Sequence, residues 1–557
     1  MQKYIILVFI GTFVISATAF AGVFDDAVSG NVDVSAGSSG ESDVTDSDNA
    51  AGSTSPPTIV SPLSFDLNGY VRGDLFAGKM PDYSRAEMKN GYGELALKVL
   101  VSKGSKGSAF ADVRFKGGYL KNGYYLGQPT DSPIAEEDLG KAAVSVQLRE
   151  AYVNIYAKRL ELRLGHQIVL WGRADGINPT NNITPIDMRV RSPEEDDRRL
   201  ANTGLVAKLN LSPVTIEGVW MPIYSASLVP QVVIGNALRF DKPDYPDFDL
   251  ANGLFAGKID FAFPAFEFSL SYLNGYSLTP SLTYVKNNFT EPYYDRENLP
   301  PLLRMDEYED ANGDMTPYPV RDWTITLARK AYKHQVVGFD FETTLGSFMG
   351  LRGEVAFRYP EKQDAADVDR IYVPNPDLYY VLGLDKEFGN LMVVAQYIGR
   401  YTLNYDQLPN IKEKEIEESN ADYSDINLDN NLEELQRDQA AQKVTFYGLD
   451  EEMISSRANK ELAKTNKMLF GQTAEIQHGV SLRLSYSMLH DTLTLVAFGM
   501  ANLTTQEIVI YPKIEYKLTD AMTVTTGAEL YFGPEDTLFG LIDETLSAGY
   551  AEFKVSF

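Results

Sequence analysis

The sequence predicts an all-β chain: a transmembrane, antiparallel, up-and-down β-barrel of about eighteen strands, with sixteen as the alternative count. Three observations carry this. Short segments in which apolar and polar side chains alternate recur from Phe65 to the last residue. The connections between them tend to run short, then long, as tight turns at one end of a barrel and long loops at the other require. The chain also opens on an export signal and closes on a strand ending in Phe557.

In chain order, residues 1–21 read as a signal peptide. Lys3 supplies the positive end, Tyr4 to Ile15 is an apolar run, and Ala19-Phe20-Ala21 is a small-x-small cleavage site. That run is too short to span a bilayer comfortably, and no Cys follows for lipid attachment. Residues 22–62 form a Ser, Gly and Asp-rich leader with almost no large apolar side chain. Such a segment buries too little surface to offset its ordering entropy, so it is expected to be disordered.

Residues 63–557 are expected to form the barrel. Strands are predicted over 65–76, 91–102, 108–117, 144–156, 160–170, 203–211, 214–221, 253–262, 266–273, 333–343, 349–358, 377–387, 390–402, 479–489, 492–500, 506–518, 522–532 and 547–557. Within 479–489, Val480, Leu482, Leu484, Tyr486 and Met488 share one face, opposed by Ser481, Arg483 and Ser485. Within 351–358, Leu351, Val355 and Phe357 oppose Arg352, Glu354 and Arg358. A closed barrel leaves no unpaired edge in hydrocarbon, so such segments can span a membrane. Long loops run up to 403–478, which is helix-prone from about Leu428 to Lys464 and reads as a surface helix pair or cap. In loop 274–330, Asp310-Ala-Asn312-Gly-Asp314 has the start of a calcium loop, but Arg321 stands where the closing Glu belongs; a solvated acidic turn is the plainer reading.

Composition excludes several functions. The formal net charge of −27 argues against a nucleic-acid partner, which needs clustered Lys and Arg. Cys is absent, so disulfides, thiolate metal sites and attached c-type haem are excluded. The four histidines (His166, His334, His478 and His490) are scattered, which argues against a multi-His metal centre. No Gly-x-Ser-x-Gly or comparable nucleophile motif is present, so no catalytic site and no cofactor are expected.

The most distinctive stretch is Leu160 to Asp187. Leu160, Leu162 and Leu164 face one way and Glu161, Arg163 and Gly165 the other; the alternation stops at Trp171-Gly172, where Asn, Pro, Thr and Gly take over. Gly165-His166-Gln167-Ile168-Val169-Leu170-Trp171-Gly172, followed by Asn178-Pro179 and Pro185-Ile186-Asp187, resembles a family of Gram-negative outer-membrane barrels of largely unknown function. Their pattern is a Gly-x-Gln strand ending in Trp-Gly, then a Pro-x-Asp loop; related barrels are porin-like or linked to passage of hydrophobic or carbohydrate compounds. The resemblance covers about thirty residues and implies localisation in the cell outer membrane, with lipid as surroundings and no particular substrate. A last strand ending in Phe557 likewise resembles the signal read by the barrel-assembly machinery.

Gly165, Gln167, Trp171, Gly172 and Pro185 are expected at the rim, with Trp171 in the external aromatic girdle and Gly172 allowing a sharp bend. Loop 172–200 then either turns inward as a constriction or locks against the rim. Turned inward, it brings Arg173, Asp175, Asn178, Asn181, Asn182, Asp187, Arg189 and Arg191 to the lumen. The run Pro193 to Arg199 pairs its own charges, rings the mouth, or is simply solvated. Arg163, Arg352, Glu354, Arg358 and Arg483 are expected to face the lumen, with Arg72, Asp74, Glu94, Lys98 and Arg149; their mixed signs fit either a transverse field on solutes or a network stiffening the wall. The expected function is a porin-like channel or transporter for small solutes. The alternatives are an adhesion or structural barrel working through acidic loops, and a sheath around a partner protein. Monomer and homo-oligomer stay open.

Overall fold

The computed structural model describes residues 63–79, 86–120, 142–188, 190–228, 238–287, 304–309, 315–320, 325–346, 348–361, 371–405, 451–535 and 537–557. The signal peptide, the leader, the calcium-like turn at 310–314, Arg189 and the stretch 406–450 lie outside them.

Eighteen antiparallel strands form one closed sheet. In order they are β1 (Leu63–Lys79), β2 (Ala86–Lys103), β3 (Gly107–Leu120), β4 (Ala142–Ala157), β5 (Leu160–Gln167), β6 (Asn202–Leu211), β7 (Val214–Met221), β8 (Leu254–Phe263) and β9 (Phe266–Tyr276). They continue as β10 (Lys333–Leu345), β11 (Met349–Pro360), β12 (Asp377–Phe388), β13 (Leu391–Thr402), β14 (Ile476–Met488), β15 (Leu493–Asn502), β16 (Glu507–Lys517), β17 (Met522–Phe532) and β18 (Ala548–Ser556). Each pairs with its sequence neighbour, and β18 closes on β1 with Phe553 opposite Gly73. Backbone bonds in both directions between Gly69 and Phe557 finish the seam, at 2.9 and 3.0 Å. Every predicted strand is present; β5 alone stops well short, at Gln167 instead of Leu170.

The distribution of side chains is inverted relative to a soluble protein. Leu67, Val71, Leu75, Val146, Leu164, Leu270, Val337, Leu382, Leu482, Ile510 and Phe553 point outward and exposed, while Arg72, Asp74, Glu94, Arg114, Asp340, Glu354 and Glu552 are buried inside. Only an apolar surrounding makes that arrangement stable, because exposed apolar belts of this extent are otherwise unfavourable in water. At the short-turn end, Phe261, Phe263, Phe266, Phe268, Phe339 and Phe341 stack on the outer wall, with Phe261 and Phe268 centred 4.6 Å apart. Near the long-loop end, Tyr272, Tyr359, Tyr397 and Tyr401 face outward. Two aromatic girdles flanking an apolar band mark the spanning zone. No helix among the described residues is long and apolar enough to cross a membrane; the crossing is made by strands.

Among the described residues, two α-helices stand on the long-loop end. Helix α1 (Glu451–Leu469) lies on a small sheet of loop strands, Ser281–Asn287 and Ile325–Lys330, and buries Leu462 and Ala463 against Leu282, Leu327 and Ile371. It occupies the end of the helix-prone stretch read from the sequence and stops where Gly471 takes φ +62°. Asn466 at its end bonds the backbone of Leu282 in both directions and also Ile371. Helix α2 (Leu538–Leu546), capped by Thr537, turns Phe539, Ile542 and Leu546 inward onto Phe76, Phe498, Tyr511 and Tyr531.

Candidate functional site: the infolded segment and the lumen

After Gln167 the chain leaves the wall and runs through the interior until Asn202. The bend needs glycine. Gly172 has φ +108°, and a Cβ there would lie 2.6 Å from the Glu354 carboxylate. Because the strand has already ended, its outward and inward parity no longer governs Trp171. The indole is buried inside the barrel and donates Nε1–H to Glu217 Oε1 at 3.1 Å, so Trp171 is no part of the external girdle. Gln167 donates Nε2–H to the Gly204 carbonyl (3.0 Å) and Pro185 accepts from Leu200 N–H (2.8 Å). Gly165, φ +141°, packs against the Tyr152 backbone.

The segment bonds to the wall all round the lumen. On the β9–β14 side, Glu354 accepts from the backbone N–H groups of Arg173, Ala174 (2.6 Å) and Thr180 (3.3 Å) and from the Thr180 hydroxyl (2.9 Å). With its amide turned to satisfy both atoms, Asn178 donates to Glu354 at 3.0 Å. Arg173 sits among acidic wall groups: Asp340 at 2.7 Å, Glu267 at 2.8 Å, Glu342 at 3.7 Å and Asp260 at 3.9 Å. Asp175 pairs with Arg483 (3.2 Å), and its backbone exchanges bonds with the amide of Gln396. Asn182 Nδ2 holds the Pro179 carbonyl at 2.9 Å.

On the opposite side the buried run Glu195–Arg198 forms a 3-10 turn. Asp197 meets Arg72 at 2.6 Å and Arg114 at 2.5 Å, and Arg72 also reaches Glu94 at 2.7 Å and Glu552 at 3.3 Å. Arg149 donates to the Asp197 and Arg199 carbonyls at 3.3 and 3.4 Å. Arg191 pairs with Glu529 and donates to the Leu546 carbonyl (2.7 Å), tying the segment to α2. Asp187 is buried, its N–H on the Arg198 carbonyl at 2.6 Å. The run from Pro193 to Arg199 is thus not solvated: the wall supplies counter-charges that offset the cost of its burial, and only Asp196 keeps substantial exposure.

The wall residues read as lumen-facing do face inward, but most are engaged. Arg352 pairs with Asp385 at 2.8 Å and donates to the Arg173 carbonyl, Arg358 grips Asp377 through two nitrogens, and Arg163 bonds Asn154 (3.0 Å) above the Tyr152 ring. Of the two readings offered for these charges, this geometry is a network. Gln396, Asp340 and Glu217 do not stand out in the sequence. Each sits at an inward position of its strand, Asp340 on one face with Glu342 and Gln396 on one face with Arg400, and that parity is the available signal. Among the described residues no group of His, Cys, Asp or Glu is arranged to hold a metal ion.

Above the segment, towards the long-loop end, lies an open cavity. Its floor is Asn178 to Met188, its wall the upper ends of β10 to β13 with His334, Arg358, Asp377 and Arg400, and its roof the end of α1 with Leu469 and Phe470.

The fold and interior define a membrane-spanning β-barrel whose lumen is crossed by an infolded segment. Residues 1–219 match the family model described as "Protein of unknown function (DUF1302)". A comparison with curated proteins finds no match. Solved structures similar to this chain include a BenF-like porin from Pseudomonas fluorescens Pf-5 (9% identity, TM-score 0.45, covering 88% of this chain and 98% of that one). OccAB3 from Acinetobacter baumannii (9%, 0.43, 88% and 99%) and opdK from Pseudomonas aeruginosa (9%, 0.44, 89% and 98%) are further examples.

Proposed function

We propose that this chain is a narrow, non-enzymatic outer-membrane channel that passes small solutes, with the segment between Gln167 and Asn202 as its constriction. The observation that carries the reading is the two-sided anchoring of that segment, to Glu354 and Asp340 on one wall and to Arg72 and Arg114 on the other. Irregular backbone at membrane depth is tolerated where it is buried or lines a water-filled passage, and the wall accepts from the backbone N–H groups of Arg173, Ala174, Asp175 and Thr180 in this segment. An interior so crossed suits selective passage better than wide diffusion.

A second reading is favoured by one observation. Ile177, fully buried, packs into the apolar cluster formed by α2, Phe76 and Phe498. A lumen sealed there leaves a closed barrel that works through its external loops. Recording refolded mature protein in planar bilayers separates the two. The channel reading expects small, reproducible current steps; silence from protein shown to be folded and inserted favours the closed barrel.

A further inference from the structure

The barrel wall is interrupted beside β4. That strand has 16 residues, but its partner β5 has only 8. Pairing between them runs from Ala157 opposite Leu160 to Ala151 opposite His166 and stops there. From Glu150 to Ala142, β4 is held by β3 alone among the described residues, which leaves about 30 Å of its other edge unpaired.

The break falls within the apolar belt. A tilted strand needs about 9–11 residues to cross hydrocarbon, so β5 turns inward before it has crossed. Val144, Val146 and Leu148 point outward along the free stretch of β4, each at least half exposed. Strand β7 is equally short, but β8 starts level with its end, Leu254 opposite Met221, and leaves no such edge. Arg149 is skipped in the pairing with β3, a bulge that bends β4 at the height where β5 departs. The last tie across the break is Ile168 N–H to the Glu150 carboxylate, at 2.8 Å. Unpaired backbone groups are costly against lipid and are tolerated where water reaches them, so an edge at this depth joins lumen to lipid.

The interior beside the break is unusual as well. A barrel lumen is normally polar. Here Val206, Val219, Met221, Leu254 and Ala256 of β6 to β8 cluster with Val169, Trp171 and Ile183 of the infolded segment. A polar solute gains nothing from hydrocarbon on one side of the break and this apolar face on the other. An apolar one keeps its surface away from water along the whole route.

We infer that the barrel opens sideways between β4 and the end of β5, and that a small apolar or amphipathic molecule passes there between the lumen and the external leaflet. The inference goes beyond the channel reading, since it concerns the wall and holds whether or not ions cross the constriction.

The test is photolabelling of the full folded chain in phosphatidylcholine vesicles with a diazirine-bearing fatty alcohol, mapped by mass spectrometry. Label is expected on outward residues all round the barrel and, inside it, on Ser145, Gln147 and Ile168. Inward Ser481 and Ser485 on β14, where the wall is paired on both sides, should stay unlabelled. Because the chain has no Cys, Gln147→Cys takes a bulky maleimide at that point alone. Blocking the break in this way should cut the label on Ile168 several-fold and leave that on outward Val480 unchanged. Electrophoretic migration before and after heating checks the fold of the variant. Label confined to outward residues, as a second copy covering the edge would produce, overturns the inference. So does equal label on Ser145 and Ser485, which means entry by the mouth, or unaltered label on Ile168 in the fully modified variant. Current steps from the same protein decide the channel reading separately.

Discussion

Glu354 on β11 accepts two hydrogen bonds from Thr180 of the infolded segment, the backbone N–H at 3.3 Å and the hydroxyl at 2.9 Å. The same carboxylate takes the N–H of Ala174 at 2.6 Å, so one wall residue organises a turn of otherwise irregular chain. Glu354→Ala leaves those donors unpaired, at about 1–3 kcal/mol each where they stay buried. The segment is expected to loosen while the barrel still forms. Single-channel recording should show higher conductance and noisier steps than wild type, with normal folded yield.

Gly172 faces that carboxylate. Gly172→Ala places a Cβ 2.6 Å from Glu354 on a backbone at φ +108°, where side chains are strained. A cost of about 1–3 kcal/mol is expected, read as a lower midpoint in urea unfolding.

Arg72 is the hub of the opposite wall, within 3.5 Å of Asp74, Glu94, Asp197 and Glu552. Arg72→Met strands these carboxylates without their shared cation. Breaking a buried ionic cluster from one side costs roughly 3–5 kcal/mol. The variant should unfold at markedly lower urea, whereas Lys79→Met, whose ion pair with Glu544 is exposed, should change little.

The seating of the segment should also depend on acid. Burial alone raises the pKa of Asp197, but Arg72 and Arg114, with Lys116 and Arg149, outweigh it and hold the carboxyl well below the usual carboxylate range. A carboxylate depressed in the folded state stabilises fully above its unfolded value of about 4, and the gain is lost as pH falls through the lower folded value. The share of the seating that Asp197 supplies should therefore be kept down to about pH 4 and lost only below it, so the difference in current between wild type and Asp197→Asn should stay constant from neutrality to that point. Asp197→Asn should show the acid behaviour at neutral pH.

Alternation makes the wall legible from the residues alone. The face shared by Val480, Leu482 and Tyr486 is outward, and Arg483 points inward. The rhythm holds because every spanning residue must choose lipid or lumen. It fails at Trp171, since β5 ends at Gln167 and parity cannot be carried into chain that has left the sheet. The pairing of Arg72 with Asp197 is equally hidden, because it depends on where an irregular segment returns to the wall. That an inward loop would carry Arg173 and Asp175 is readable from Gly, Asn and Pro; that Asp340, Glu354 and Gln396 would receive it is not.

The most direct test uses the absence of cysteine from this chain. Asn182→Cys places a single thiol on the infolded segment beside the cavity. A charged thiol reagent is then added during planar-bilayer recording of the refolded variant. A constricting segment predicts that modification cuts the current of each open channel, with wild type unaffected. Unchanged current from channels in which that thiol is shown to be fully modified would contradict the account, because solutes would then bypass the segment.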